Sequence, residues 1–194
     1  MTIEEYSGIL VYLEDERGAI SKSSLGTLGK ARYLAEILGV NVDGVIFGQN
    51  TEVLAKEAIA YGADKVHACP VRKEFSNGVK ETASFNIKEI LDVLYNLINE
   101  LKPEIILFSN SIEEQNLTPR LAQRFEVGLG CNCTGLEIDT EKRTLLMTYP
   151  IYEGKMLKEV ASTAKRPQIA TISEATASVE PIKDDLREGE IVKL

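Results

Sequence analysis

Residues 86–109 read NIKEILDVLYNLINELKPEIILFS, an amphipathic helix followed directly by an apolar strand. Apolar side chains recur from Ile87 to Leu101 at helical spacing, which places them on one face of the helix. Asn86 can cap this helix, and Glu89 three positions later completes a capping-box pattern. The apolar run that ends the stretch is typical of a strand buried on both faces. The stretch therefore predicts one helix–strand unit of an α/β protein.

The same alternation of strands and helices fills the chain before this stretch. Residues 70–84 are polar and predict a long loop, and a further helix is expected over 114–126. Beyond Cys131 the pattern changes to short strands joined by turns. The other predicted strands are 8–13, 40–47, 64–69, 134–138, 143–149, 156–162 and 168–173, and the other predicted helices end at Leu38 and at Tyr61, before glycines.

This order predicts an α/β fold, a three-layer αβα Rossmann-like parallel sheet with antiparallel edge strands in the C-terminal part. We expect one α/β domain over residues 1–173. Residues 174–194 are acidic and weakly apolar, and they predict a linker or a C-terminal arm. In such sheets ligands bind where the strand order reverses. We expect that point between the first strand and the strand at 104–109.

Charge and cysteine content limit the function classes. The 194 residues carry 22 Lys and Arg against 30 Asp and Glu, a formal net charge of −8. An acidic chain without a basic stripe binds nucleic acid poorly, so no nucleic-acid partner is expected. No stretch approaches the length of a membrane span. Three cysteines and no secretion signal predict a reducing, cytoplasmic setting.

The expected crevice has an acidic side and a polar side. Glu14 and Asp15 follow the first strand, where a dinucleotide fold would carry a glycine-rich phosphate loop. Arg120 follows Pro119 in what reads as the first turn of a helix, and a guanidinium there can hold a phosphate or a carboxylate. An ion pair with Glu14, Asp15, Glu113 or Glu114 is an equal alternative for it. The candidate cofactor-binding or interface residues are Asn110, Ser111, Gln115, Asn116 and Arg120.

Other motifs favour packing over chemistry. Gly26 and Gly29 lie in a helix, where small residues permit close contact with the sheet. Cys131 and Cys133 would share one face of a strand, and their spacing lacks the paired pattern of a zinc site. His67 has no partner that sequence can identify, so we expect it to be structural. No metal site and no catalytic residue is predicted.

Six segments in order resemble the N-terminal domain of the electron transfer flavoprotein alpha subunit. They are LGTLGKARYLA (25–35), YGADKV (61–66), KPEIILFS (102–109), LTPRLA (117–122), CTGLEID (133–139) and RPQIAT (166–171). The resemblance runs from about Ile9 to Ile172, and residues 187–193 resemble the family's linker. The chain departs from the family pattern in loops, where Glu114, Gln115 and Asn116 replace Gly-Arg-Asp.

The resemblance implies a scaffold and subunit interface in flavin-based electron transfer, an electron-carrier subunit and not an enzyme by itself. It implies a heterodimer with an electron transfer flavoprotein beta-type subunit and, indirectly, an acyl-CoA or other dehydrogenase. FAD is implied through a C-terminal domain absent from this sequence, and no cofactor is expected to bind this chain tightly. The alternatives are a stand-alone nucleotide- or flavin-binding protein, or a small enzyme using His67, Cys131 and Cys133.

Overall fold

A parallel sheet forms the centre of the molecule in the computed structural model, which describes residues 5–70, 74–76, 79–81, 86–177 and 183–194. The strands are β1 (Ile9–Leu13), β2 (Asp15–Glu16), β3 (Ala19–Ile20), β4 (Val42–Gly48), β5 (Lys65–Pro70), β6 (Glu74–Ser76), β7 (Val79–Glu81), β8 (Ile105–Phe108), β9 (Leu129–Cys133), β10 (Gly135–Asp139), β11 (Thr144–Ile151), β12 (Met156–Ala161), β13 (Gln168–Ile172) and β14 (Glu190–Lys193). The helices are α1 (Lys22–Leu38), α2 (Thr51–Ala60), α3 (Ile87–Leu101) and α4 (Ile112–Phe125).

Seven strands make the central sheet in the order β14-β5-β4-β1-β8-β13-β9, and their pairings are all parallel. From β1 the chain first adds β4 and β5 on one side and then returns to add β8 on the other. Leu10 of β1 consequently faces Asp43 on one neighbour and Ile106 on the other. The strand order therefore reverses between β1 and β8, as the sequence predicted.

The helices cover the sheet in two layers. Ile9, Val11 and Leu13 point into a cluster that contains the buried faces of α1 and α2. Leu10 and Tyr12 point to the opposite face, into a cluster formed with α3 and α4. Alternate residues of one strand are thus buried on opposite faces, the geometry of a strand with no exposed side. The three-layer α/β prediction is confirmed.

Helix boundaries follow local capping. In α3 the Asn86 side chain accepts from the Glu89 N–H at 3.0 Å and the reciprocal bond is present, so the capping box is confirmed. In α1 the cap is Ser21, whose side chain accepts from the Ser24 N–H. The predicted start of α4 is wrong: its cap is Ser111, which leaves Pro119 in the helix interior.

The C-terminal half contains more sheet than the sequence indicated. Strands β10, β11 and β12 form a separate antiparallel sheet, and β9 and β14 occupy the two edges of the central sheet. The segment 190–193, inside the predicted arm, pairs in parallel with β5. Residues 70–84 were predicted as a loop, but β6 and β7 form a short hairpin there, and 71–73, 77–78 and 82–84 lie outside the described residues. Within the described residues no helix is long and apolar enough to cross a membrane.

Candidate functional site

The crevice at the carboxyl ends of β1 and β8 begins with a tight hairpin. Directly after β1, β2 and β3 pair around Arg17 and Gly18, which have φ of 58° and 90°. Positive φ at both loop positions is the geometry of a two-residue hairpin turn, and Asp15 accepts from the Gly18 N–H at 2.7 Å. A nucleotide-binding fold would place a phosphate-cradling loop here. In this chain the hairpin takes that place.

The opposite wall is the turn from β8 into α4, and a buried carboxylate holds it. Glu114 is fully buried. It accepts from the backbone N–H of Ser109 at 3.3 Å and of Ser111 at 3.1 Å, and from the Ser109 hydroxyl. Burial raises the pKa of the Glu114 carboxyl, although these hydrogen bonds act in the opposite direction. The amino end of α4, where an anion would otherwise bind, is thus occupied by the chain's own carboxylate.

Two further acids make the crevice electronegative. Glu14 is half-buried, and its burial raises the pKa of that carboxyl. The hydroxyl of the buried Tyr12 donates to Glu113 at 2.8 Å, and burial together with the Glu113 charge raises the pKa of Tyr12 well above its usual value. A phosphate entering between β1 and β8 would meet carboxylates on both walls. The arrangement is unsuited to holding a nucleotide phosphate.

Hydrogen bonds at the carboxyl end of the sheet join Asn110 to two residues outside the predicted site. Its amide donates to the Asn132 side chain at 3.2 Å and accepts from the Thr171 hydroxyl at 3.2 Å. The Thr171 hydroxyl also accepts from the Asn132 N–H at 2.7 Å. These three residues, the amide cluster, connect β8, β9 and β13. Nothing in the sequence around Asn132 or Thr171 signals this contact, which depends on the order of the strands.

The remaining predicted site residues lie along α4. Gln115 donates to the backbone carbonyl of Asn110 at 2.9 Å, next to the amide cluster. Asn116 is exposed and donates to the Ile112 carbonyl within the helix, at 2.9 Å. Arg120 is exposed, and within the described residues it makes neither a hydrogen bond nor an ion pair. Because α4 starts at Ile112, Arg120 lies about 12 Å along the axis from the helix start. The structure thus gathers Asn110, Ser111 and Gln115 and leaves Arg120 away from them.

The cysteines and the histidine have separate surroundings. Cys131 and Cys133 were expected on one face of a strand, which is wrong: Cys131 is exposed and Cys133 is buried. A bulge separates them, because Gly130 and Cys133 pair with Ala170 and Ile172, and Asn132 has φ of 53°. No group of three metal-ligating side chains exists among the described residues.

His67 is buried, and its Nε2 lies 3.0 Å from the Asp43 carboxylate on the neighbouring strand. Its Nδ1 has no hydrogen-bond partner within the described part of the chain. The imidazole belongs to β5, which β4 separates from β1 and the crevice.

Gly26 contacts the C-terminal segment. A Cβ atom at Gly26 would lie 1.5 Å from the carbonyl oxygen of Ala177, which is itself buried. Gly26 therefore allows the C-terminal segment to cross close over α1. The expected close contact with the sheet is not the one that requires a glycine here. Beside the crossing lies a groove of about 830 Å³ lined by residues that include Lys30, Tyr33 and Tyr61.

Comparison with known proteins gives a consistent family. A family model described as the electron transfer flavoprotein domain matches residues 9–194. The chain is 36% identical over 184 residues to the electron transfer flavoprotein subunit alpha of Clostridium acetobutylicum, covering 95% of this chain and 52% of that protein. It is 35% identical to the same subunit of Thermoanaerobacterium thermosaccharolyticum, covering 98% and 55%. It is 31% identical to Protein FixB of Clostridium saccharobutylicum, covering 89% and 49%. The chain spans about half the length of these curated relatives.

Proposed function

Because the chain belongs to the electron transfer flavoprotein family, as an alpha-subunit N-terminal domain, we propose that it is a scaffold that joins a beta-type subunit. In this role it supports electron transfer in the assembly without being a catalyst itself. An acyl-CoA or other dehydrogenase is an indirect partner, and the setting is cytoplasmic. The observation that carries the proposal is the exposed strand β12.

Strand β12 has the properties of an interface. Among the strands that the structure describes it pairs with β11 alone, so its outer edge offers unpaired backbone groups. Met156 and Leu157 are 56% and 69% exposed, and Tyr152 in the adjoining turn is 73% exposed. An open strand edge with exposed apolar side chains beside it is a template for an added strand. A subunit that covers β12 would bury these side chains and complete the sheet.

The charges of β12 favour a partner other than a second copy. Antiparallel pairing of two identical strands about a twofold axis always sets one residue opposite itself. In the two registers with the largest overlap that residue is Lys158 or Glu159, so like charges would face each other, which is destabilising. A different strand can place an acid opposite Lys158 and a base opposite Glu159. The edge is thus suited to a heterodimer.

The crevice does not fit the phosphates of FAD. The Glu114 carboxylate accepts the Ser111 N–H at the amino end of α4, and Glu14 and Glu113 line the walls. No step of electron transfer is therefore routed through a flavin on these residues. FAD is expected in another part of the assembly, and this domain positions the subunits.

Co-expression with a beta-type subunit from the same genome tests the interface. We expect the two chains to co-elute on gel filtration. Charge reversal of Lys158→Glu with Glu159→Lys should weaken the complex about tenfold or more, because complementary charges across an interface are replaced by like ones. Reversal of the exposed pair Lys165→Glu with Glu126→Lys is the matched control and should leave binding unchanged. Absence of a complex with the unaltered chain would reject the proposal.

A stand-alone flavin or nucleotide protein is the alternative, and the amide cluster at the carboxyl end of the sheet, which includes Asn110 of the crevice, is the observation in its favour. A visible absorption spectrum of the purified chain, before and after denaturation, separates the two. We expect no flavin band. A band near one equivalent that Asn110→Ala weakens would instead identify the crevice as a cofactor site.

A further inference from the structure

The C-terminal strand β14 is attached differently from the chain that precedes it. Residues 173–177 are pinned by close packing: Ala177 is buried against Gly26, and the Ser173 N–H donates to the Cys133 carbonyl at 2.9 Å. In β14 itself, Ile191 is the side chain that packs against the apolar cluster. Its four residues are half-buried or exposed. The chain is therefore fully buried at Ala177 and only partly buried along β14.

Exposed ion pairs hold β14 to the rest of the molecule. Glu190 pairs with Lys65 at 2.8 Å, with side chains 62% and 36% exposed. Lys193 pairs with Glu52 at the start of α2, with side chains 67% and 61% exposed. Charges this exposed are screened by salt, and each pair contributes little alone.

The backbone ladder of β14 is short. It is parallel to β5 over four residues. The Glu190 N–H donates to the backbone carbonyl of Asp64 and the Leu194 N–H to that of Ala68, both at 3.0 Å. Parallel pairing is slightly less stable per residue than antiparallel pairing, and within the described part of the chain β14 has a partner strand on one side only. A strand of this kind opens at a low free-energy cost compared with the core strands.

Arg187 keeps the chain just before β14 attached to the domain. Its guanidinium donates to the Asp64 carboxylate at 2.6 Å, and both side chains are less than one third exposed. The same carboxylate also accepts from Arg32 at 2.8 Å, so this junction is a network and less sensitive to salt.

We propose that β14 is a salt-releasable edge strand: screening of the Glu190–Lys65 and Lys193–Glu52 pairs frees residues 188–194 and opens the outer edge of β5 while the domain stays folded. This extends beyond the scaffold role and does not depend on which partner binds β12.

Amide hydrogen exchange on the whole chain tests this. Raising NaCl from about 0.01 M to about 1 M shortens the screening length from about 30 Å to about 3 Å. We expect exchange at Glu190 and Leu194 to become about tenfold faster, while the core amide of Ile9 keeps its protection. Salt-independent protection at Glu190 and Leu194 would overturn the proposal.

Two variants separate charge from a general salt effect. Glu190→Gln with Lys193→Gln should give fast exchange at low salt and abolish the salt response. Lys165→Gln removes an exposed pair elsewhere, Lys165–Glu126 at 3.1 Å, and should behave as the unaltered chain. A salt response that persists in the double variant would also overturn the proposal, whatever its size.

Discussion

Asn132 decides how the two neighbouring cysteines are exposed. In a regular strand Cys131 and Cys133 would lie on the same face. The left-handed conformation of Asn132 turns the chain so that one sulfur lies at the surface and the other in the core. Burial raises the pKa of the Cys133 thiol to about 11 and that of Cys69 to about 12. Their reactive thiolate forms are thereby suppressed.

Thiol labelling should therefore be confined to Cys131. We expect a disulfide reagent at neutral pH to label the folded chain at Cys131 quickly and at Cys69 and Cys133 at least about a hundredfold more slowly, because thiolate is the reactive species. Mass spectrometry after short reaction times measures this. Cys131→Ser should abolish the fast phase, and rapid labelling of Cys133 in that variant would contradict its buried position.

The substitution Gly26→Ala has two opposing effects on stability. An alanine in a helix interior is usually favoured over glycine by about 1 kcal/mol. Here the added Cβ would lie 1.5 Å from a backbone oxygen of Ala177, a contact that no rotamer relieves. We expect a net loss of about 2 kcal/mol in the free energy of unfolding, measured with urea. A gain would show that the C-terminal segment does not cross α1 at this glycine.

At the scale of elements, α3 could be predicted closely because its signals are local. Its apolar face and its capping box both lie within the helix and its cap. The start of α4 differs from the prediction because Pro119, a residue type common in first turns, lies in the helix interior, whereas Ser111 and Glu114 carry the capping-box pattern. Strands β9 and β14 have weak local patterns and depend on pairing with β13 and β5. The amide cluster was missed for the same reason, since it depends on strand order.

The buried carboxylate of α4 should make stability fall as pH rises. The folded-state pKa of Glu114 is raised above its unfolded value, so the folded form favours the proton. Its stabilising contribution is full below pH about 4.3 and is lost as pH rises through the raised pKa. Glu114→Gln, which is neutral at every pH, should flatten this part of the profile. Urea unfolding between about pH 4 and pH 8 measures it, and an unchanged slope would assign the effect to other groups such as Glu14.

At the scale of the whole molecule, a bidentate ion pair joins the two sheets. Glu104 is 2% exposed, and both of its oxygens accept from Arg143 at 2.7 Å. Arg143 immediately precedes β11, and Glu104 immediately precedes β8. The Gln168 side chain adds a second link by accepting from the Leu145 N–H at 2.8 Å. These bonds fix the antiparallel sheet, and with it β12, relative to the central sheet.

Arg143→Ala should be among the more damaging single changes. It leaves the buried Glu104 carboxylate without its partner, and we expect a loss of about 3 kcal/mol in the free energy of unfolding. The double variant Glu104→Gln with Arg143→Met removes both charges and should recover most of that loss. Chemical denaturation measures both. If the double variant were no better than the single one, the cost would lie in packing and not in the unpaired charge.

The parallel arrangement of β1 and β14 also has a mechanical consequence. Both strands run in the same direction. The chain therefore enters β1 at the end of the sheet where the strands begin, and it leaves β14 at the end where they finish. Tension between these two points acts along the strands and loads the ladder between β14 and β5 in shear. All of its bonds then resist together and cannot be unzipped one by one. Salt weakens the exposed ion pairs that hold β14, yet the direction of this strand lets it withstand a pull along the polypeptide.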